Sequence, residues 1–259
     1  MSRTKNRYLI RFACAALCAS LGARAAYAVT ARCAHTATLL ANDDLLIAGG
    51  VNAVGTTLSS VDLFAASPDR AVTAGAMTVA RASHTATLLL NGCVLAAGGN
   101  TNNAAPAATA AAEVYNPLTG QWTNTAVLIT ARYNHTATLL TNGSVLICGG
   151  QNGAGTALSS CELYTPTSCT AGSFSAAASL QQGRYNHTAV RLKDGKVWFA
   201  GGVNPAVTPR YLSTTERYDP LFNAFQSASP LIEARAHHTA TLMGNGKVLL
   251  VGGYNASEF

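Results

Sequence analysis

Short apolar runs, each interrupted after a few residues by Gly, Asn, Asp or Pro, recur along the whole chain and predict strands rather than helices. The clearest is His-Thr-Ala-Thr-Leu-Leu, found at 35–40, 84–89 and 135–140 and in the variant forms HTAVRL at 187–192 and HTATLM at 238–243. As a strand it puts His, Ala and Leu on one face and Thr, Thr and Leu on the other, which suits burial between two layers rather than against water. An Arg stands three residues before each His, at Arg32, Arg81, Arg132, Arg184 and Arg235. A second apolar run follows and closes on a Gly pair, at Gly49-Gly50, Gly98-Gly99, Gly149-Gly150, Gly201-Gly202 and Gly252-Gly253. From the Arg to the second Gly the offset is 18 in all five copies. Between the two runs lies Asn91-Gly92, Asn142-Gly143, Asp194-Gly195 or Asn245-Gly246, with Asn42-Asp43 in the first copy, and this dipeptide predicts a type I′ hairpin turn. A one-residue slip would exchange the faces of both strands, so the fixed length predicts a fixed register.

A third run ends in an aromatic at Phe64, Tyr115, Tyr164 or Tyr218, with Asp62, Glu113, Glu162 or Glu216 two residues earlier. A fourth carries Trp122, Phe174 or Phe225, each six residues before Leu128, Leu180 or Leu231; those leucines, and Met77 in the first unit, lie four residues before the next Arg. Four strands per unit of about fifty residues predict propeller blades, because a lone four-stranded sheet apolar on both faces needs neighbours to cover it. The units run 32–80, 81–131, 132–183 and 184–234, followed by a partial one at 235–259, all within an all-β domain at 29–259. The repeat Arg and the acidic residue of the third strand are candidates for buried charge pairs.

The Gly pair closing the second strand, the acidic-x-aromatic third strand and the aromatic with a Leu six residues on resemble the kelch repeat, over essentially all of 32–253. The resemblance implies a kelch-type β-propeller of four complete four-stranded blades plus a half blade, the first strand of each lining a central channel. The unmatched half blade reads as part of a larger ring or as a partner for another chain, since an open apolar edge invites association. Secreted relatives of this kind include copper radical oxidases resembling galactose oxidase and glyoxal oxidase, in which a Tyr and the His directly after it bind copper. Here the residue before the repeat His is Ala34, Ser83, Asn134, Asn186 or His237. Tyr133 and Tyr185 stand one position earlier, which on a strand is the opposite face.

The N-terminus changes the charge picture. Arg3, Lys5, Arg7 and Arg11 precede an apolar run from Phe12 to Leu21 and the small-x-small triplets Ala23-Arg24-Ala25 and Ala26-Tyr27-Ala28, the order of a secretory signal at 1–28 that carries five basic residues with Arg24. The run is too short to span a bilayer, so no membrane span is expected once the signal is removed. Without it, twelve Lys and Arg face eleven Asp and Glu and the formal charge falls from +6 to +1. No basic stripe is left to replace phosphate counterions, and no nucleic-acid partner is expected. Cys33, Cys93, Cys148, Cys161 and Cys169 remain, an odd number that leaves at least one thiol free or paired between chains. Cys161 and Cys169 flank an expected turn and read either as a local bridge or as two separate thiols.

Catalytic signatures are missing: the sequence has no phosphate-binding Gly loop with its Lys, no Gly-x-Ser-x-Gly and no His-Glu-x-x-His. No cofactor or metal is expected, and the five repeat His read as packing and interlayer hydrogen-bonding residues. In an up-and-down blade, the loop after the second strand and the loop entering the next blade share one face. The longest insertions, 100–109 and 203–211, fall there, and Asn102, Asn103, Tyr133, Tyr185, Arg210 and Tyr211 are the expected binding rim. The alternative for Tyr133 and Tyr185 is that they fill blade interfaces. The sequence thus predicts a secreted, extracellular or periplasmic, interaction module for a protein or glycan. A degenerate or truncated copper oxidase and a structural segment of a larger surface protein are the other readings.

Overall fold

The computed structural model describes residues 31–65 and 74–255; the signal read at 1–28 and the last residues, 256–259, lie outside them. The described chain is all-β, and no helix in it is long and apolar enough to cross a membrane. Three units form four-stranded antiparallel sheets in simple up-and-down order: Thr85–Leu88, Val94–Ala97, Ala112–Asn116 and Gln121–Asn124; Thr136–Leu139, Val145–Cys148, Cys161–Pro166 and Gly172–Ala177; and Thr188–Arg191, Val197–Ala200, Thr215–Asp219 and Ala224–Ala228. The first unit's sheet shows three strands, Thr36–Leu39, Leu45–Ala48 and Val61–Phe64, beside a short ladder of Arg32–Cys33 with Val51–Asn52, and 66–73, ahead of Met77, are outside the described residues. The fifth unit shows the hairpin Thr239–Leu242 and Val248–Val251.

The register repeats as the fixed spacing requires. Ile47, Ala96, Ile147 and Phe199 pair with Asp62, Glu113, Glu162 and Glu216. The third-strand aromatic faces the fourth-strand one, Tyr115 opposite Trp122, Tyr164 opposite Phe174 and Tyr218 opposite Phe225, with ring centroids 4.9–5.2 Å apart. Such tilted pairs contribute about 0.5–1.5 kcal/mol beyond their burial.

The core lies between sheets, not within one. Val94 and Ala96 pack towards Leu46, Ala48 and Met77 of the first unit, while Leu95 and Ala97 from the same strand pack towards Val145, Ile147 and Tyr164 of the third. Leu146 and Cys148 in turn meet Val197, Phe199 and Tyr218. First strands of successive units lie side by side. The described sheets form an open arc, with no closed ring among the described residues.

Two polar devices join the units, the first at three junctions and the second at all four. Arg81, Arg132 and Arg184 are fully buried and pair at 2.7–2.8 Å with Glu113, Glu162 and Glu216 of their own units. Each guanidinium also donates to two carbonyls that frame the loop after the second strand, as Arg132 does to Gly149 and Ser160. Each carboxylate in turn accepts two backbone N–H groups from the linker arriving from the preceding unit: Thr78 and Val79, Ile129 and Thr130, Gln181 and Gln182. The second device joins the repeat His to the preceding unit, where Nε2 of His84, His135, His187 and His238 shares a hydrogen bond of 2.8–3.1 Å with Thr36, Thr85, Thr136 and Thr188.

Two expectations are corrected. The hairpin turn is not type I′, which needs two residues at positive φ: only the second residue of each dipeptide is there, at φ 81–86° for Gly92, Gly143, Gly195 and Gly246. The loop has three residues, closed as in Leu89 N–H to Cys93 O with Gly92 N–H to Leu89 O, the pattern of a G1 bulge. The Asn is there for its side chain, since Oδ1 of Asn91, Asn142 and Asn245 accepts the N–H two residues on. Asp43 occupies the bulge at φ 64° in the first unit without the freedom of Gly. Asp43→Gly should therefore raise stability by about 0.5–1 kcal/mol, read as a shift in the urea midpoint.

The second correction concerns the cysteines. Cys161 and Cys169 do not bridge: Cys161 begins a strand that ends at Pro166, roughly 17 Å along, and Cys169 lies in the turn beyond its far end. Cys161 bonds to Cys148, its direct partner across the sheet, and Cys169 reaches into the second unit to Cys93. Among the described residues, Cys33 is the cysteine left outside these two bridges.

Candidate binding site on the loop face

The Arg-x-x-His segment is not a continuous strand. The residue before each His takes a left-handed conformation: Ala34, Ser83, Asn134, Asn186 and His237 have φ of 52–57°. Ser83, Asn134, Asn186 and His237 each donate the N–H to the carbonyl of the counterpart in the preceding unit at 2.9–3.1 Å, so these backbones form a hydrogen-bonded arc from Ala34 to His237. The kink, rather than strand alternation, separates Tyr133 and Tyr185 from the residues that follow them. The tyrosines instead sit on short bridges to the residue after the Gly pair, Tyr133 to Gln151 and Tyr185 to Val203; Gln151 pairs on to Ala157 and Val203 to Tyr211. The loops entering a unit and leaving its second strand are thereby joined on one face, as expected.

This ladder gathers Tyr185, Arg210 and Tyr211. Tyr185 packs in one apolar cluster with Val203, Tyr211, Ala236 and Tyr254. Tyr254 holds the position after the last Gly pair and bridges to Ala236. Its ring meets Tyr211 edge-on at 5.9 Å and stacks on His237 at 5.1 Å, with 11° between the planes. Arg210 lies 5.1 Å from the Tyr211 ring centroid, its guanidinium exposed, and donates to the Tyr211 hydroxyl at 3.4 Å. Asn186 Nδ2 lies 2.8 Å from His237 Nε2. An amide nitrogen only donates, so Nε2 accepts and the imidazole proton sits on Nδ1.

Burial keeps these groups neutral: it pushes the phenols of Tyr133, Tyr185 and Tyr254 up and the His237 imidazole down. Arg210 is the cation beside them, and it holds back part of the rise at Tyr185. The surface is thus a set of flat rings with hydroxyl and imidazole N–H donors and one guanidinium.

The other expected rim residues are not part of this cluster. Tyr133 is 7% exposed and acts mainly as packing, as does Tyr211 at 9%, which backs the more exposed Tyr185, Tyr254 and His237. Asn102 spends its Oδ1 on Ala104 and Ala105 of its own loop, and Asn103 lies against Gly55 of the first unit's loop. Sequence reasoning missed Tyr254 and His237. The signal for them was their repeat position, directly after the Gly pair and directly before the repeat His, next to the longest insertion but one.

The repeat His do not converge. His84, His135, His187 and His238 are wedged between units with Nε2 committed to a Thr hydroxyl, and among the described residues no three His, Cys, Asp or Glu are grouped to hold a metal. The donor set does not fit a copper radical site, whose Tyr position before the His is filled by Ala34, Ser83, Asn134, Asn186 and His237.

No protein-family model matches the chain. It is 29% identical over 155 residues to β-scruin of Limulus polyphemus, a match that covers 58% of this chain but only 16% of that protein's length. Among solved structures, YjhT superposes with a TM-score of 0.68 at 16% identity, over 87% of this chain and 78% of that one. A copper-bound fungal alcohol oxidase of the AA5 family superposes with a TM-score of 0.53 at 17% identity, over 86% of this chain and 58% of its own. At such identities the structural likeness carries the fold alone. Five registered repeats, up-and-down sheets packed first strand to first strand, and these neighbours give the chain the fold of a kelch-type β-propeller.

Proposed function

We propose that this chain is a secreted binding module that recognises a protein or glycan on its loop face and does no chemistry of its own. The observation that carries the reading is the cluster of Tyr185, Tyr254 and His237, backed by the buried Tyr211, beside the exposed Arg210. Aromatic rings with neutral donors at their edges stack on apolar or sugar faces, and rigid rings lose little entropy on binding. The sheets beneath hold the loops, so little ordering is needed when a ligand arrives. Secretion is supported by the N-terminal pattern and by the two disulfides, a chemistry of oxidising compartments.

The test is a glycan array and a displayed peptide library, each probed with the wild-type chain and with Arg210→Ala and Tyr254→Ala. Hits of the wild type should weaken about tenfold in each variant, the loss of roughly 1.4 kcal/mol. An unchanged profile would remove the site.

A further inference from the structure

The junction between consecutive units is built from the same parts four times. The first Gly of a pair lies where a Cβ would overlap the carbonyl of the next unit's Arg and the ring of its His. That holds for Gly49, Gly98, Gly149 and Gly201, which seat Arg81, Arg132, Arg184 and Arg235. The first-strand Thr of one unit then meets the His of the next, and the next unit's Glu, where it has one, holds the linker.

The two end units present the complementary halves of this junction. On the last unit Gly252 keeps the same left-handed backbone at φ 70°, yet among the described residues nothing lies within 4 Å of where its Cβ would be. Thr239 bonds to Val251 O, having no His to meet. Val251 is 55% and Leu249 48% exposed, while Ala48, Ala97, Cys148 and Ala200 at the first position, and Leu46, Leu95 and Leu146 at the second, are buried. On the first unit Leu39 is 59% exposed, where Leu88 and Leu139 are half-buried; His35 meets no Thr among the described residues, and Asp62 is 27% exposed. Both faces keep the residues of an internal junction, where a capping unit would carry a polar outer face.

We propose that the exposed face of the 235–255 unit receives the 32–65 unit of a second copy, head to tail. The occupant follows from the four internal junctions: a surface shaped for an Arg-x-x-His segment and its first strand is matched by the same elements at the other end. His35 of the second copy meets Thr239, its Arg32 carbonyl seats on Gly252, and Leu39 covers apolar surface beside Val251. The contact is heterologous, so each copy uses one end and leaves the other free.

Sedimentation of three proteins tests this. The wild type should show a mass that rises with concentration. Leu39→Glu and Val251→Glu should each stay monomeric, because each has lost one half of the contact. Their equimolar mixture should form a 1:1 dimer, since each variant keeps the half the other lacks. Lysine at the same two positions should repeat the pattern, and both sites are already exposed in the single copy, so melting should be unchanged. A wild type monomeric at every concentration would assign these faces to a different occupant and overturn the proposal. Association that survives either substitution alone, or a mixture that stays monomeric, would overturn it too.

Discussion

Glu162→Gln should lower stability by about 3–5 kcal/mol and the melting temperature by roughly 10 °C. The carboxylate is buried and both of its oxygens are engaged: Oε1 accepts from Arg132 Nη2 and Thr130 N–H, and Oε2 from Ile129 N–H. An amide of the same size turns a donor towards one of those donors whichever way it is set, and leaves the buried Arg132 without its counter-charge. The ion pair itself is not the source of the stability, since a well-packed apolar pair would cost less to bury; removing one half is what is costly. Asp62→Asn provides the contrast. Its carboxylate is partly exposed and water can solvate what is left, so the loss should be about 1 kcal/mol. Thermal unfolding of both variants checks the ordering, and equal losses would mean that burial is not what sets the cost.

Acidification should unfold the protein well above the pH at which carboxylates protonate. Burial holds the imidazole of His84 down to about 3 and that of His238 down to about 4, and holds His135 and His187 well below the ordinary value near 6.5. Arg81, Arg132, Arg184 and Arg235 add repulsion to the respective rings. Between those values and 6.5 the unfolded chain binds protons that the folded chain refuses. Stability is therefore complete above 6.5 and falls as pH drops. Each fully buried ring contributes up to about 1.4 kcal/mol per pH unit, so His84, His135 and His187 together give a slope of up to about 4 kcal/mol per unit. Urea midpoints between pH 7 and 5 measure it. His135→Gln should lower the starting stability and flatten the slope by about a third, and a midpoint independent of pH over this range would refute the account.

The internal pairing was the most legible feature of the sequence. Asp62, Glu113, Glu162 and Glu216 each sit 30–32 residues after an Arg, and all four make the bond that the repetition suggested. The candidate site was legible in part. Tyr185, Arg210 and Tyr211 come together because a ladder joins 185, 203 and 211, whereas Asn102 turned inward to close its own loop. The partners of Cys93 and Cys148 were hidden. One bond crosses between units and the other closes a loop whose two ends meet only once the sheet forms.

The sequence by itself determined the strands, their number in the second, third and fourth units and the register, because alternation and constant spacing act over a few residues and leave one pairing that buries the apolar faces. Tertiary structure alone decided the left-handed kink before each His, the Thr that each imidazole meets, the disulfides and the stacking of His237 on Tyr254. Each of these is set by how one sheet is turned against the next. That angle comes from many side chains filling the space between sheets, and no single stretch of chain encodes it.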